Sequence, residues 1–411
     1  MTAPARDDHE WRRGWRVVAA GMVGIGTGPG LYQNLSSLFT PGMSADFGWS
    51  RGDIATAAGV GLLGAVAAPV LGRLVDRFGV RPMIVGAMLT LAATYAGLAA
   101  IGGALWQYQL LVLMLTLTVP GTSAVVYGKL IGAAFVRQRG LALGLATSGL
   151  SLTTLALPPA VGAVIALYGW RGGYAALGLM CACVALPLVL LALGRRADPL
   201  RAVARDPAAP ATGMTGAQAR RDTRFWRLAL TVTFVNMATV GLVTQLVPFG
   251  LDRGLAAGQA ALLLASFGAS QIIGRLAMGA LVDRLPPHST AAAAALVSAC
   301  GFGLLQLADP GFTIAMAAVF LAGVMHGAEY DLLPFFGVRL FGLRAFGEVY
   351  GMLLMIGLFG TGAGIVGFGR LYDATGGYAV ALGLATAAMV AAAGLFASLG
   401  DRTARAAPAA A

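Results

Sequence analysis

Apolar runs of about 20 residues or more alternate with short polar joints, and the alternation recurs twelve times. The runs cover 15–39, 53–72, 82–102, 107–136, 141–167 and 173–193, then 225–250, 258–281, 290–307, 312–338, 346–369 and 377–399. About 20 apolar residues cross the ~30 Å core of a bilayer as one helix. The pattern therefore predicts an all-α membrane protein with twelve transmembrane helices. Residues 194–224 interrupt it with seven arginines among Pro, Ala and Asp and no sustained apolar period, which predicts a flexible linker. The chain thus divides into a tail at 1–14, a six-helix bundle at 15–193, the linker at 194–224, a second bundle at 225–399 and a tail at 400–411. Six plus six across a linker predicts two bundles related by a pseudo-twofold axis along the membrane normal.

Composition agrees. The 411 residues are 58% hydrophobic and 11% charged, whereas soluble domains are about 45–50% apolar and roughly 25% charged. The formal charge of +11 would suit a nucleic-acid binder, but its distribution excludes one. About 20 of the 28 basic residues fall in alternate joints, the linker and the tails, against four (Arg51, Arg171, Arg253, Arg370) in the other joints. That asymmetry predicts that both termini are cytoplasmic, in the inner membrane of a bacterium. Trp11-Arg-Arg-Gly-Trp15 reads as an interfacial anchor, and the first run lacks the short core and cleavage site of a signal peptide. Cys181, Cys183 and Cys300 lie in apolar runs without metal-type spacing. No cofactor is expected, and neither a phosphate-binding G-x-x-x-x-G-K-(S/T) loop nor a His/Glu metal cluster supports an ATP-driven pump or a membrane enzyme.

Between the second and third runs stand Gly72, Leu74, Asp76, Arg77, Gly79 and Arg81, and Gly279-Ala-Leu-Val-Asp283-Arg284 echoes them 207 residues on. The first stretch resembles the G-x-L-x-D-R-x-G-x-R signature of the major facilitator superfamily. The stretch Phe135-Val-Arg137-Gln138-Arg139-Gly-Leu141-Ala142-Leu-Gly144-Leu-Ala146-Thr-Ser148-Gly149 resembles a motif of the monocarboxylate transporters, with Arg137 and Gln138 where Lys and Arg are usual. Trp11-x-x-Gly14-Trp15, Gly169-Trp170-Arg171 and Arg275 also suit that branch and the oxalate:formate antiporters. The resemblance implies alternating access by a monomer in the bilayer.

Ionisable residues at membrane depth are costly and usually functional. Lys129, the only lysine, lies eight residues, about 12 Å of helix rise, before Arg137 at the basic end of its run. Arg275 falls where, by resemblance, these porters carry a substrate-binding arginine, whose donor fork matches a carboxylate. The tenth run holds His326-Gly-Ala-Glu329-Tyr-Asp331. His326 and Glu329 share a helix face, and Asp331 is turned about 200° from Glu329. One acid is expected to pair with Arg275 and the other to take a proton, and the sequence does not say which. Tyr32, Gln33, Asn34, Tyr127, Asn236, Thr239, Thr244 and Gln245 are candidate cavity residues, because the resemblance places their helices along the central cavity.

The resemblance also implies a gate. Arg73, Arg77 and Arg81 surround Asp76, and Arg73 or Arg77 would latch to Glu348 at the start of the eleventh run, with Asp76 pairing to Arg139. Asp283 and Arg284 would make the mirrored contact near the fifth helix. With Lys129 and Arg275 against Glu329 and Asp331, the deep charges sum to zero, and protonating one acid leaves +1 for a carboxylate to neutralise. The expected function is therefore secondary transport of a small organic anion, a monocarboxylate or short dicarboxylate, coupled to protons. The alternatives are anion exchange and proton-driven export of a cationic or amphipathic compound, the latter opposed by two deep basic residues.

Overall fold

The computed structural model describes residues 7–62, 78–135, 138–194, 213–282, 284–307, 311–342 and 344–399, leaving aside the side chains at 7–9, 13, 120, 124, 125, 129, 133 and 139. The chain divides into two compact units, Met1–Pro207 and Ala208–Ala411, and among the described residues both are built from helices. Together they carry the twelve-helix membrane fold.

In the first unit, the first predicted run is interrupted. It begins as α1 (Asp7–Gly26), breaks at Gly28, and resumes as α2 (Pro29–Leu35) before a 3₁₀ turn at Ser36–Leu38 and α3 (Thr40–Phe47). Pro29 has no N–H to give the preceding turn, so the helix restarts there. α4 (Arg51–Gly61) opens the second run with a capping box between Ser50 and Asp53, which satisfies two otherwise orphaned N–H groups. α5 is Val80–Ala99. The fourth run is also divided, into α6 (Leu105–Leu117), α7 (Val119–Thr122) and α8 (Ala124–Ala134), with Ser123 extended between the last two. The two breaks abut: a Cβ on Gly28 would stand 3.1 Å from the backbone oxygen of Thr122.

The fifth and sixth runs join with no polar loop between them. α9 (Arg139–Leu179) turns at Gly169, whose φ of 70° and ψ of 175° favour a residue without Cβ. The chain continues through a π-helical stretch, Met180–Ala185, into α10 (Leu186–Leu193). Pro187, in the first turn of α10, lacks the N–H that would close an α-turn onto that stretch. The apolar run Gly140–Leu193 has 54 residues, roughly 80 Å if straight and so enough for two crossings. Phe135, Ala142 and Ala146 of the transporter-like motif are fully buried with Val18 and Ile131, and Trp11 packs edge-on against Phe135. These motif positions are core.

The second unit begins with structure where a flexible linker was expected. Gly213 pairs with Gly342 in an isolated bridge, Met214 N–H donates to Phe341 O at 2.8 Å, and α11 (Gly216–Arg221) follows. A capping box between Thr215 and Gln218 starts α11, and Asp222 caps α12 (Thr223–Asp252). The N–H and guanidinium of Arg224 donate to the Asp222 carboxylate and hold its pKa below the ordinary range. Local capping, more than apolar content, orders this end of the linker. Residues 195–212 lie outside the described positions.

The remaining helices are α13 (Ala257–Val282), α14 (Pro287–Leu304), α15 (Gly311–Phe341), α16 (Phe346–Thr375) and α17 (Ala379–Ala397). α12 packs on α16 and α13 packs on α15. Of the glycines in the eleventh run, Gly357, Gly360 and Gly364 face α12, where side chains would meet Val232, Thr233 and Met237. Such small-residue seams let membrane helices approach closely.

Candidate functional site

The polar residues of the second unit converge on α15, between α12 and α13. Asn236 and Thr239 lie three apart on α12, and Glu329 and His326 lie three apart on α15. They meet as two rungs. Asn236 Nδ2 donates to Glu329 Oε1 at 2.7 Å and to its own helix at Val232 O, 3.1 Å away. Thr239 Oγ1 lies 3.0 Å from His326 Nδ1 and donates to Val235 O at 2.8 Å. Glu329 is 8% exposed and His326 4%.

The second face of α15 serves α13. Arg275 Nε stands 3.6 Å from Asp331 Oδ2, with side-chain exposures of 11% and 41%. The guanidinium also lies over the Tyr330 ring, 5.3 Å from its centroid. Tyr330 stands edge-on to His326 at 5.7 Å, and Phe267 of α13 flanks the imidazole at 5.5 Å. The half-turn between Glu329 and Asp331 therefore sends one acid to a neutral amide and the other to a cation. A carboxylate without a cationic partner is costly at this depth and favours the neutral form. A guanidinium can bind a substrate carboxylate.

Tyr32, Asn34 and Tyr127 turn inward within their own unit. The Tyr32 hydroxyl is 2.6 Å from that of Tyr108, Asn34 donates to Thr154 Oγ1 at 2.8 Å, and Tyr127 is fully buried with its hydroxyl against Gly24. In the second unit Gln245 accepts from the Tyr378 hydroxyl at 3.0 Å, and Thr244 donates to Gly241 O. Lys129 falls on α8 and Arg139 starts α9, with side chains outside the described set. Arg73, Asp76, Arg77 and Asp283 also lie outside it. Arg81 is half-buried in the first turn of α5, and Arg284 is exposed in the turn after α13. Glu348, in the first turn of α16, accepts from Arg220 of α11 at 2.9 Å. Arg220 and Tyr330 escaped the sequence reading. Tyr330 sat inside the charged stretch, while Arg220 was one of seven arginines in an interval taken as unstructured.

Among the described residues no cluster of His, Cys, Asp or Glu could hold a metal, and the three cysteines are free thiols. The sequence profile of the Major Facilitator Superfamily matches residues 25–365. Monocarboxylate transporter 11 of Mus musculus is 30% identical over 385 residues, covering 88% of this chain and 76% of the relative. The Homo sapiens protein of that name is 30% identical over 383 residues, covering 88% and 72%. A bacterial homolog of the human lysosomal transporter Spinster, solved in an inward-facing and occupied conformation, matches with a TM-score of 0.68 over 100% of both chains. At 17% identity that likeness concerns the fold alone. The profile match and the 30% relatives together place the chain in the major facilitator superfamily, in its monocarboxylate-transporter branch, as a multi-pass membrane transport protein and not an enzyme.

Proposed function

We propose that the chain carries a small organic anion, a monocarboxylate or short dicarboxylate, together with a proton. The observation that supports this most is the division of labour on α15: Asp331 sits against Arg275, while Glu329 is buried against the neutral amide of Asn236. A cation partly balanced by one acid can exchange that partner for a substrate carboxylate, and a buried acid beside an amide can load a proton. The names of the relatives support the substrate class.

Charge links the two events. With both acids ionised, the deep groups Lys129, Arg275, Glu329 and Asp331 sum to zero. A proton on Glu329 leaves +1, which a carboxylate returns to zero, so each ligand favours the other. Such coupling is reciprocal, and about 1–3 kcal/mol is typical of linked sites. Arg275 binds the anion, Glu329 takes the proton, and Lys129 contributes its charge from the first unit. The arginine asymmetry supports cytoplasmic termini in a bacterial inner membrane, and a monomer suffices for this chemistry. The test is uptake of a panel of labelled monocarboxylates and dicarboxylates into proteoliposomes, with and without an inward proton gradient. The proposal requires accumulation of at least one of them that depends on the gradient and collapses with a protonophore. Accumulation of none, or equal uptake under both conditions, contradicts it.

A further inference from the structure

Given Glu329 as the proton carrier proposed above, we infer that Asn236 is a positioning residue that assigns the transferable proton to Glu329 Oε2. The amide nitrogen of Asn236 has two N–H groups. One reaches Val232 O at 3.1 Å and the other Glu329 Oε1 at 2.7 Å. Both partners are acceptors, so the nitrogen and not the amide oxygen must face them. Both N–H groups are then committed, and Asn236 acts through Glu329 rather than on the substrate.

The consequence falls on one atom. A neutral carboxyl accepts best through its carbonyl oxygen and carries its proton on the other. An N–H held against Oε1 makes Oε1 the carbonyl, and the proton belongs on Oε2. When Glu329 ionises, the same N–H remains a donor to the carboxylate. The amide thus serves both charge states without rotating, whereas a cation in its place would hold the acid ionised. Its support is rigid: Val232 is one helical turn back on α12, and Gly357 of α16 leaves the space that a side chain would take from Val232 and Asn236.

The rest of the surroundings carry charge at greater remove. On α15 itself stand His326, Tyr330 and Asp331. From α16 comes Tyr350, in electrostatic reach of Glu329. From α13 comes Arg275, which meets Asp331 and Tyr330. The second rung suits this arrangement. Thr239 spends its one hydroxyl proton on Val235 O, so His326 donates to it through Nδ1–H, and the imidazole is held one turn from Glu329 in a single orientation.

The test uses infrared difference spectroscopy between acid and neutral pH on the full chain in nanodiscs. Loss of a carboxyl C=O band in Glu329→Gln assigns that band to Glu329. In Asn236→Leu the band should move to higher frequency, because the carbonyl oxygen loses its donor, and in Asn236→Ser by less. In proteoliposomes, the ratio of pH-driven pyruvate accumulation to pyruvate exchange should fall about tenfold for Asn236→Leu, the order expected for one hydrogen bond to a charged group. Asn236→Gln, which keeps the amide, should restore part of that ratio. An unmoved band in both Asn236→Leu and Asn236→Ser overturns the inference, whatever happens to transport. A shifted band with accumulation and exchange falling in proportion also overturns it, since the amide would then act on folding or on the substrate. Absence of any titrating Glu329 band in the unaltered protein would instead refute Glu329 as the proton carrier.

Discussion

Two glycines seven residues apart on α16 give a matched test of how closely this unit is packed. A Cβ built on Gly360 would lie 2.8 Å from Thr233 Cα and 2.9 Å from its carbonyl carbon, and would also meet the carbonyl oxygen. Ordinary contact begins near 3.4 Å, so Gly360→Ala asks for 3.4 − 2.8, about 0.6 Å of movement, between two backbones. Overpacking of this kind costs about 1–3 kcal/mol. A Cβ on Gly367 meets nothing within 4 Å, so Gly367→Ala receives only the helix-propensity gain of roughly 0.5–1 kcal/mol. That gain is common to both variants and cancels in the comparison. Gly360→Ala should therefore be less stable than Gly367→Ala by about 1–3 kcal/mol. The damage should also reach the site. Thr233 is three residues from Asn236 on α12, and a 0.6 Å displacement would lengthen the 2.7 Å bond to Glu329 to about 3.3 Å. Thermal denaturation of both variants in nanodiscs, followed by circular dichroism, reads the difference. Equal melting would show that α12 and α16 are not in backbone contact there, and the packing derived above would be wrong.

Two further perturbations separate chemistry from architecture. Arg275→Lys keeps the charge but loses the planar fork, and one lost hydrogen bond to a charged group, about 1.5–3 kcal/mol, should weaken carboxylate transport roughly tenfold to a hundredfold; transport within twofold of the unaltered protein would remove Arg275 from the binding role. Beyond the end of the first crossing, the Trp170 indole N–H and the Arg171 guanidinium donate to Asp46 at 2.9 Å and 2.6 Å and hold its carboxyl below the ordinary range. The sign is that of a depressed acid: the stabilisation is present above the ordinary carboxylate range and is lost as pH falls through the lowered value. The gap in melting temperature between the unaltered protein and Asp46→Asn should thus be present at neutral pH and close on acidification, and a gap that persists unchanged into strong acid would refute it.

The chain's periodicity carried the number and order of crossings, because a bilayer allows few backbones other than helices. The breaks were less legible. Pro29 and Gly169 both stand in the sequence, but apolar periodicity runs straight over Gly28 and Pro29, and Gly169 joins two helices with no polar loop to mark it. In the linker, Thr215 and Gln218 form a short-range capping signal that a search for apolar periods passes over. At the site, the half-turn between Glu329 and Asp331 implied different neighbours for the two acids. The choice of Arg275 for Asp331 and Asn236 for Glu329 depends on which helix lies on which side of α15, and one helix cannot encode that. Tyr32, Asn34 and Tyr127 show the opposite limit. Their polarity marked them as cavity candidates, yet each is buried within the first unit, Tyr32 and Asn34 with hydrogen-bond partners of their own.

The transport proposal stands on one comparison: gradient-driven accumulation of a carboxylate by the unaltered protein and by Glu329→Gln, in proteoliposomes with an acidic exterior. The unaltered protein should concentrate pyruvate or another carboxylate of the panel above its external level until a protonophore is added. Glu329→Gln should fail to concentrate that substrate while still exchanging internal for external molecules, since Arg275 and Asp331 remain. If Glu329→Gln concentrates the substrate as well as the unaltered protein does, the proton travels elsewhere and the mechanism proposed here is wrong.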